Sequence, residues 1–100
     1  MKENDFHKLL YRVVQKDASD MHLKVGSPPY FRVDGDLRTQ DDAILTAEDV
    51  DDVVRYLLDE SRQGYFHKRG EIDLAYTRKG VGRFRVNVFR QRGNVSIVMR

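Results

Sequence analysis

From Gly82 to Arg100 apolar and polar residues alternate with period two, and the alternation breaks once, at Gln91-Arg92-Gly93-Asn94. Such a stretch is constrained to a β-hairpin, because period two is the side-chain repeat of an extended chain with one buried face. Whether the loop is counted as Arg92-Gly93 or as the four residues Gln91–Asn94, facing residues have numbers that sum to 185. In that register Phe84, Val86, Val88, Val95, Ile97 and Met99 share one face, whereas Arg83, Arg85, Asn87, Ser96 and Arg100 share the other. A slip of one residue would mix the two sets, so the pattern itself specifies the pairing.

The remaining elements follow from period and punctuation. Phe6, Leu9, Leu10, Val13 and Val14 recur at helical spacing and predict a helix over roughly Asp5–Lys16. Met21–Val25 alternates as a strand and stops at Gly26-Ser27-Pro28-Pro29. Tyr30 to Thr39 reads as a second hairpin, turning at Asp34-Gly35, a dipeptide suited to the positive φ angles of a type I′ turn. Thr46, with Asp49 three residues on, opens a helix whose stripe is Val50, Val53, Val54, Leu57 and Leu58. Ser61 is the expected cap of a short helix that carries Tyr65 and Phe66 and ends at Gly70. Ile72, Leu74 and Tyr76 then share a strand face before the turn Lys79-Gly80-Val81-Gly82. Helix, three strands, two helices and three strands predict an α+β domain with a mostly antiparallel sheet of about six strands.

A chain of 100 residues with 40% hydrophobic and 34% charged residues supports one core, so residues 1–100 are expected to form a single domain. The absence of cysteine excludes disulfide scaffolds and thiolate metal sites. No apolar run approaches membrane-spanning length, and no signal-peptide core follows Met1-Lys2-Glu3, which sets the expectation of a cytoplasmic domain. The formal net charge of +2 implies no nucleic-acid partner by itself. Its distribution is more telling: Arg78, Lys79, Arg83, Arg85, Arg90, Arg92 and Arg100 occur in the last quarter of the chain with no acidic residue among them.

The hairpin register sets Arg85 opposite Arg100. Two facing like charges are unfavourable by a few tenths to about 1 kcal/mol, which points to an anion between them. Guanidinium forks match phosphate oxygens in charge and geometry. Two further readings stay open at this level: arginines solvated on a sheet face or paired with Glu71 and Asp73, and a nucleic-acid surface using Phe89 as a stacking platform. No RNA-binding motif accompanies the latter. Other constellations are sparse. His7, His22 and His67 lack metal-ligand spacing, so no metal site is expected. Asp20 is expected to fix the entry into the first strand or to face an interface, and His22 to sit on that strand's face. Asp34, Asp36, Asp41 and Asp42 lie near turns, where carboxylates cap backbone donors.

Four segments in order and spacing, Ala18-Ser19-Asp20-Met21-His22-Leu23, Gly26-Ser27-Pro28-Pro29, Arg32-Val33-Asp34-Gly35 and Gly82–Phe89 with Gln91-Arg92-Gly93, resemble the N-terminal PAS-like domain of PilT-type pilus retraction ATPases. The short stretch before Ala18 resembles the retraction type more than the pilus-assembly or type II secretion relatives. The resemblance implies a PAS-like fold that packs on a C-terminal RecA-like ATPase domain of the same or adjacent subunit in a homo-hexamer. It implies a cytoplasmic motor peripheral to the inner membrane, working with the pilus machinery and using ATP with Mg²⁺. It also implies that Arg85 and Arg100 reach the nucleotide phosphates, with Arg83, Arg92, Asn87, Asp20 and His22 in supporting or interface roles. No Gly-x-x-x-x-Gly-Lys-Ser/Thr occurs in the sequence, so this chain is expected to lack ATPase activity of its own and to bind no cofactor tightly. The reading from a different class is a stand-alone PAS-like sensor of a small ligand.

Overall fold

A computed structural model describes residues 1–40 and 42–100; the turn assignment for Asp41 lies outside the described residues. The elements are α1 (Glu3–Gln15), β1 (Asp20–Lys24), β2 (Tyr30–Val33), β3 (Asp36–Thr39), α2 (Ala47–Leu57), α3 (Glu60–Arg69), β4 (Glu71–Arg78), β5 (Gly82–Gln91) and β6 (Asn94–Met99). The strands form one six-stranded sheet in the order β3-β2-β1-β6-β5-β4, and every neighbouring pair is antiparallel. The expected α+β architecture is met, with each half of the chain supplying three consecutive strands.

Both turns read from the sequence have the backbone that their residues favour. Asp34 and Gly35 take φ of 51° and 82°, and Arg92 and Gly93 take 53° and 82°, the paired positive values of a type I′ hairpin turn. The resulting β5–β6 register pairs Val86 with Met99, Val88 with Ile97 and Arg90 with Val95, as the alternation predicts. The central seam, β1 against β6, pairs Met21 with Met99 and Leu23 with Ile97. This joins the two hairpin units through a common apolar face.

That face carries Met21, Leu23, Phe31, Ile72, Phe84, Val86, Val88, Ile97 and Met99, all buried. Against it pack Phe6, Leu9, Leu10 and Val13 of α1, Val50, Val53, Val54 and Leu57 of α2, and Phe66 of α3. Helices cover one side of the sheet, which leaves the other side to polar residues. Helix α2 begins with a reciprocal capping box: Asp49 N donates to Thr46 Oγ1 at 3.1 Å, and Thr46 N donates to Asp49 Oδ2 at 2.9 Å.

Two local expectations are corrected. Val14, placed on the buried stripe of α1, is 49% exposed, because the stripe completes its arc at Val13 and the next residue turns outward. The cap of α3 is Asp59, whose side chain accepts from Arg62 N at 2.9 Å, so Ser61 lies within the first turn. Aspartate at the cap also places a carboxylate against the helix's positive end. No helix among the described residues is long and apolar enough to cross a membrane.

Candidate anion site on the open face of the sheet

Side chains of odd-numbered β4 and β5 residues and even-numbered β1, β2 and β6 residues point away from the helices, as the registers require. Across the middle of this open face run Tyr30, His22, Val98, Asn87 and Asp73, one from each of five adjacent strands. A parallel row pairs Arg32 with Asp20 on one side and Arg85 with Ala75 on the other. Arg100 lies between them. Its N–H donates to Arg85 O at 2.7 Å, and Arg85 N donates to Arg100 O at 2.8 Å, so the two form a hydrogen-bonded antiparallel pair. Extending the β1–β6 register by one residue sets Asp20 on the other flank of Arg100.

Arg85 and Arg100 are both exposed, and among the described residues no carboxylate comes within 4.0 Å of the guanidinium of either one, nor of Arg83 or Arg92. Glu71 and Asp73, the acids nearest in the sheet, are instead held by Asn87, whose Nδ2 donates to Glu71 Oε1 at 3.0 Å and Asp73 Oδ1 at 2.9 Å. Asn87 thereby keeps both carboxylates on its own row, one step from the arginines. Arg83 stands with Arg85 along an open groove of about 530 Å³ that also touches Asp73 and Ala75. Arg92 is elsewhere. It occupies the β5–β6 turn, about 24 Å along the strand from Arg85 at ~3.4 Å per residue, and lines a separate cleft with Lys24, Gln91, Asn94 and Ser96.

Asp20 is nearly buried, and its environment explains why it stays charged. Burial opposes ionisation, but Ser19 Oγ donates to its Oδ1 at 2.7 Å, His22 Nε2 bonds its Oδ2, and Arg32 Nε lies 3.5 Å from Oδ1. The net result is a carboxyl held below its ordinary range. The His22 ring stacks on Tyr30 at 4.8 Å between centroids and 3° between planes, and Lys24 Nζ sits 5.7 Å from the same Tyr30 ring. The structure thus brings Asp20 and His22 together and places them on the same face as Arg85 and Arg100.

Sequence reasoning missed Arg32, Tyr30 and Ser19 as members of this cluster. The β1–β2 connection is a five-residue loop containing two prolines, so no short turn fixed their register. Among the aspartates assigned to turns, Asp34 does occupy one, while Asp42 accepts from Arg12 Nη1 at 2.6 Å and Asp36 lies 4.0 Å from Arg38. No group of three potential metal ligands occurs among the described residues.

An α+β domain with a helix-covered sheet and an arginine pair on its open face defines the structural class, and comparison with known proteins supplies relatives. No protein-family model matches the chain. It is 34% identical over 96 residues to the type IV pilus retraction ATPase PilT of Pseudomonas aeruginosa, and 33% identical over 96 residues to the type IV pilus ATPase PilU of the same organism. These alignments cover 96% of this chain but only 28% and 25% of the relatives, so the chain spans about a quarter of their length. The crystal structure of the pilus retraction motor PilT with bound ADP superimposes on the entire chain with a TM-score of 0.85 at 35% identity, using 29% of the motor. The Legionella pneumophila ATPase DotB superimposes with a TM-score of 0.83 at 21% identity, a likeness of fold. The chain is therefore homologous to a domain of the PilT and PilU pilus ATPases, and the resemblance read from its four motifs holds across its length.

Proposed function

We propose that this domain is the nucleotide-sensing N-terminal domain of a hexameric pilus retraction ATPase, and that Arg85 and Arg100 contact the nucleotide phosphates. The observation that carries the reading is the Arg85–Arg100 pair: two facing guanidinium-bearing residues, hydrogen-bonded through the backbone, with no carboxylate beside either side chain among the described residues. Asn87 supports that arrangement by retaining Glu71 and Asp73. The ADP in the PilT structure makes a phosphate-bearing ligand the natural anion. In this role the forks favour the triphosphate over the diphosphate, because the extra phosphate offers more charge. Differential binding is what lets a nucleotide shift the domain against a RecA-like core.

Catalysis belongs to that core, on the same or a neighbouring subunit. ATP with Mg²⁺ would be held mainly by its phosphate loop, so the isolated domain binds ATP weakly and does not turn it over. The site of action is the cytoplasmic side of the inner membrane, at the pilus machinery. Asp20 and His22, with Arg83, lie on the face that would meet the partner domain.

The test is to place Arg85→Ala and Arg100→Ala in the full-length motor and measure steady-state ATP turnover. Loss of a charge-assisted phosphate contact lowers turnover by about 100- to 1000-fold. Normal turnover in both variants would refute the assignment.

A further inference from the structure

The two edges of the sheet differ. Strand β3 offers four exposed residues, whereas β4 offers eight with an unbroken register against β5, no proline and no lysine. Natural edges of that length are usually bulged, shortened or covered. Arg90 N donates to Gly70 O at 3.0 Å, which fixes the phase of the β4–β5 ladder. Backbone groups of Ile72, Leu74 and Tyr76 therefore face β5, and those of Glu71, Asp73, Ala75 and Thr77 face outward with no neighbouring strand. Beside this edge a cleft of about 650 Å³ opens toward α3, floored by half-exposed Tyr65 and by Ile72.

The charge along β4 selects the occupant. Its first half carries Glu71 and Asp73, and its far end carries Arg78 and Lys79, with Arg83 across from Thr77. An antiparallel strand of the same sequence is complementary to it: centred on Ala75, it sets Glu71 across from Lys79, Asp73 across from Thr77 and Leu74 across from Tyr76. The first of these is an opposite-charge pair formed twice, and the last extends the half-buried apolar side. We infer that the β4 edge pairs with the β4 edge of a second copy of this chain, making a twelve-stranded sheet about a two-fold axis at Ala75. This pairing stands apart from the nucleotide reading.

Sedimentation equilibrium of the chain over a range of concentrations tests it. The expected result is a monomer–dimer equilibrium weakened by salt, with concentration-dependent protection of the Ala75 and Thr77 amides from hydrogen exchange. Ala75→Pro removes an outward N–H without touching the β5 ladder, so it abolishes the dimer and leaves the melting midpoint in place. Glu71→Lys and Lys79→Glu each weaken the dimer about tenfold, and the double variant restores it by swapping the pair. These two charge variants keep the test decisive if the proline variant fails to fold. A chain monomeric at every concentration overturns the inference, as does a dimer indifferent to the charge variants; a different strand at this edge would appear as protection of the same amides only when another protein is added.

Discussion

The first seventy residues and the last thirty handle positive charge in opposite ways. Before Gly70, Arg12 meets Asp42, Arg32 meets Asp20, Arg38 meets Asp36, Arg55 meets Asp52 and Arg62 meets Asp59. From Arg78 onward no arginine has a carboxylate within 4.0 Å among the described residues, and Arg90 rests on the Phe66 ring at 4.9 Å instead. The difference is one of use rather than of stability. Exposed ion pairs contribute at most about 1 kcal/mol, so the first region gains solubility and modest order from its pairs. The second region forgoes even that and keeps its guanidinium forks free for an anion from outside.

The largest expected effect tests whether the two regions are separable at all. Both draw on one core, so Val54→Asp, which puts a carboxylate among Val50, Val53 and Leu57, costs several kcal/mol and unfolds the sheet as a unit. Circular dichroism should show a single transition at a much lower midpoint. A persisting β4–β6 hairpin would mean the regions fold independently.

Next in size is Asp20→Asn. It deprives Ser19, His22 and Arg32 of a nearly buried charged acceptor and should cost about 1–3 kcal/mol in denaturant melts. A change near zero would show that the paired region is no more committed to its pairs than the unpaired one.

Acid provides the same test without mutation. Asp20 is held low by its hydrogen bonds and Arg32 against the opposing effect of burial. Asp49 is held low chiefly by the Thr46 N–H and then by the Met1 ammonium, 3.0 Å away. A carboxyl whose folded pKa lies below its unfolded value contributes stability that is complete above the unfolded value, near 3.8, and lost as pH falls through the folded one. The melting midpoint should hold between about pH 7 and pH 5 and decline below about pH 4. Asp20→Asn should flatten that decline, and an unchanged acid limb would remove Asp20 from the explanation.

The smallest effects fall in the unpaired region. Arg85→Ala or Arg100→Ala should leave the chain folded and raise stability by a few tenths of a kcal/mol at most, by relieving the facing charges. A clear drop in midpoint would reveal a structural partner and blur the contrast between the regions. Arg92, at a positive φ of 53° that asparagine tolerates better, should give a similarly small gain as Arg92→Asn.

Local information in the sequence determined the elements and two of the sheet's registers. Asp34-Gly35 and Arg92-Gly93 each fix a tight turn, and alternating burial then leaves one pairing for β2–β3 and one for β5–β6, which is why the Arg85–Arg100 pair was legible. The motifs also carried the resemblance to pilus ATPases. Tertiary structure alone decided the rest. The β1–β6 seam joins residues more than seventy positions apart, a pairing that no turn chemistry encodes. It is this seam that carries Asp20, His22 and Arg32 to the face holding Arg85 and Arg100. Which carboxylates Asn87 would claim, and that Val14 would turn outward while Val13 stayed in, likewise depended on how the layers meet. Side-chain period and turn residues act over a few positions, whereas a functional face in an antiparallel sheet is assembled from strands whose order only the packed core selects.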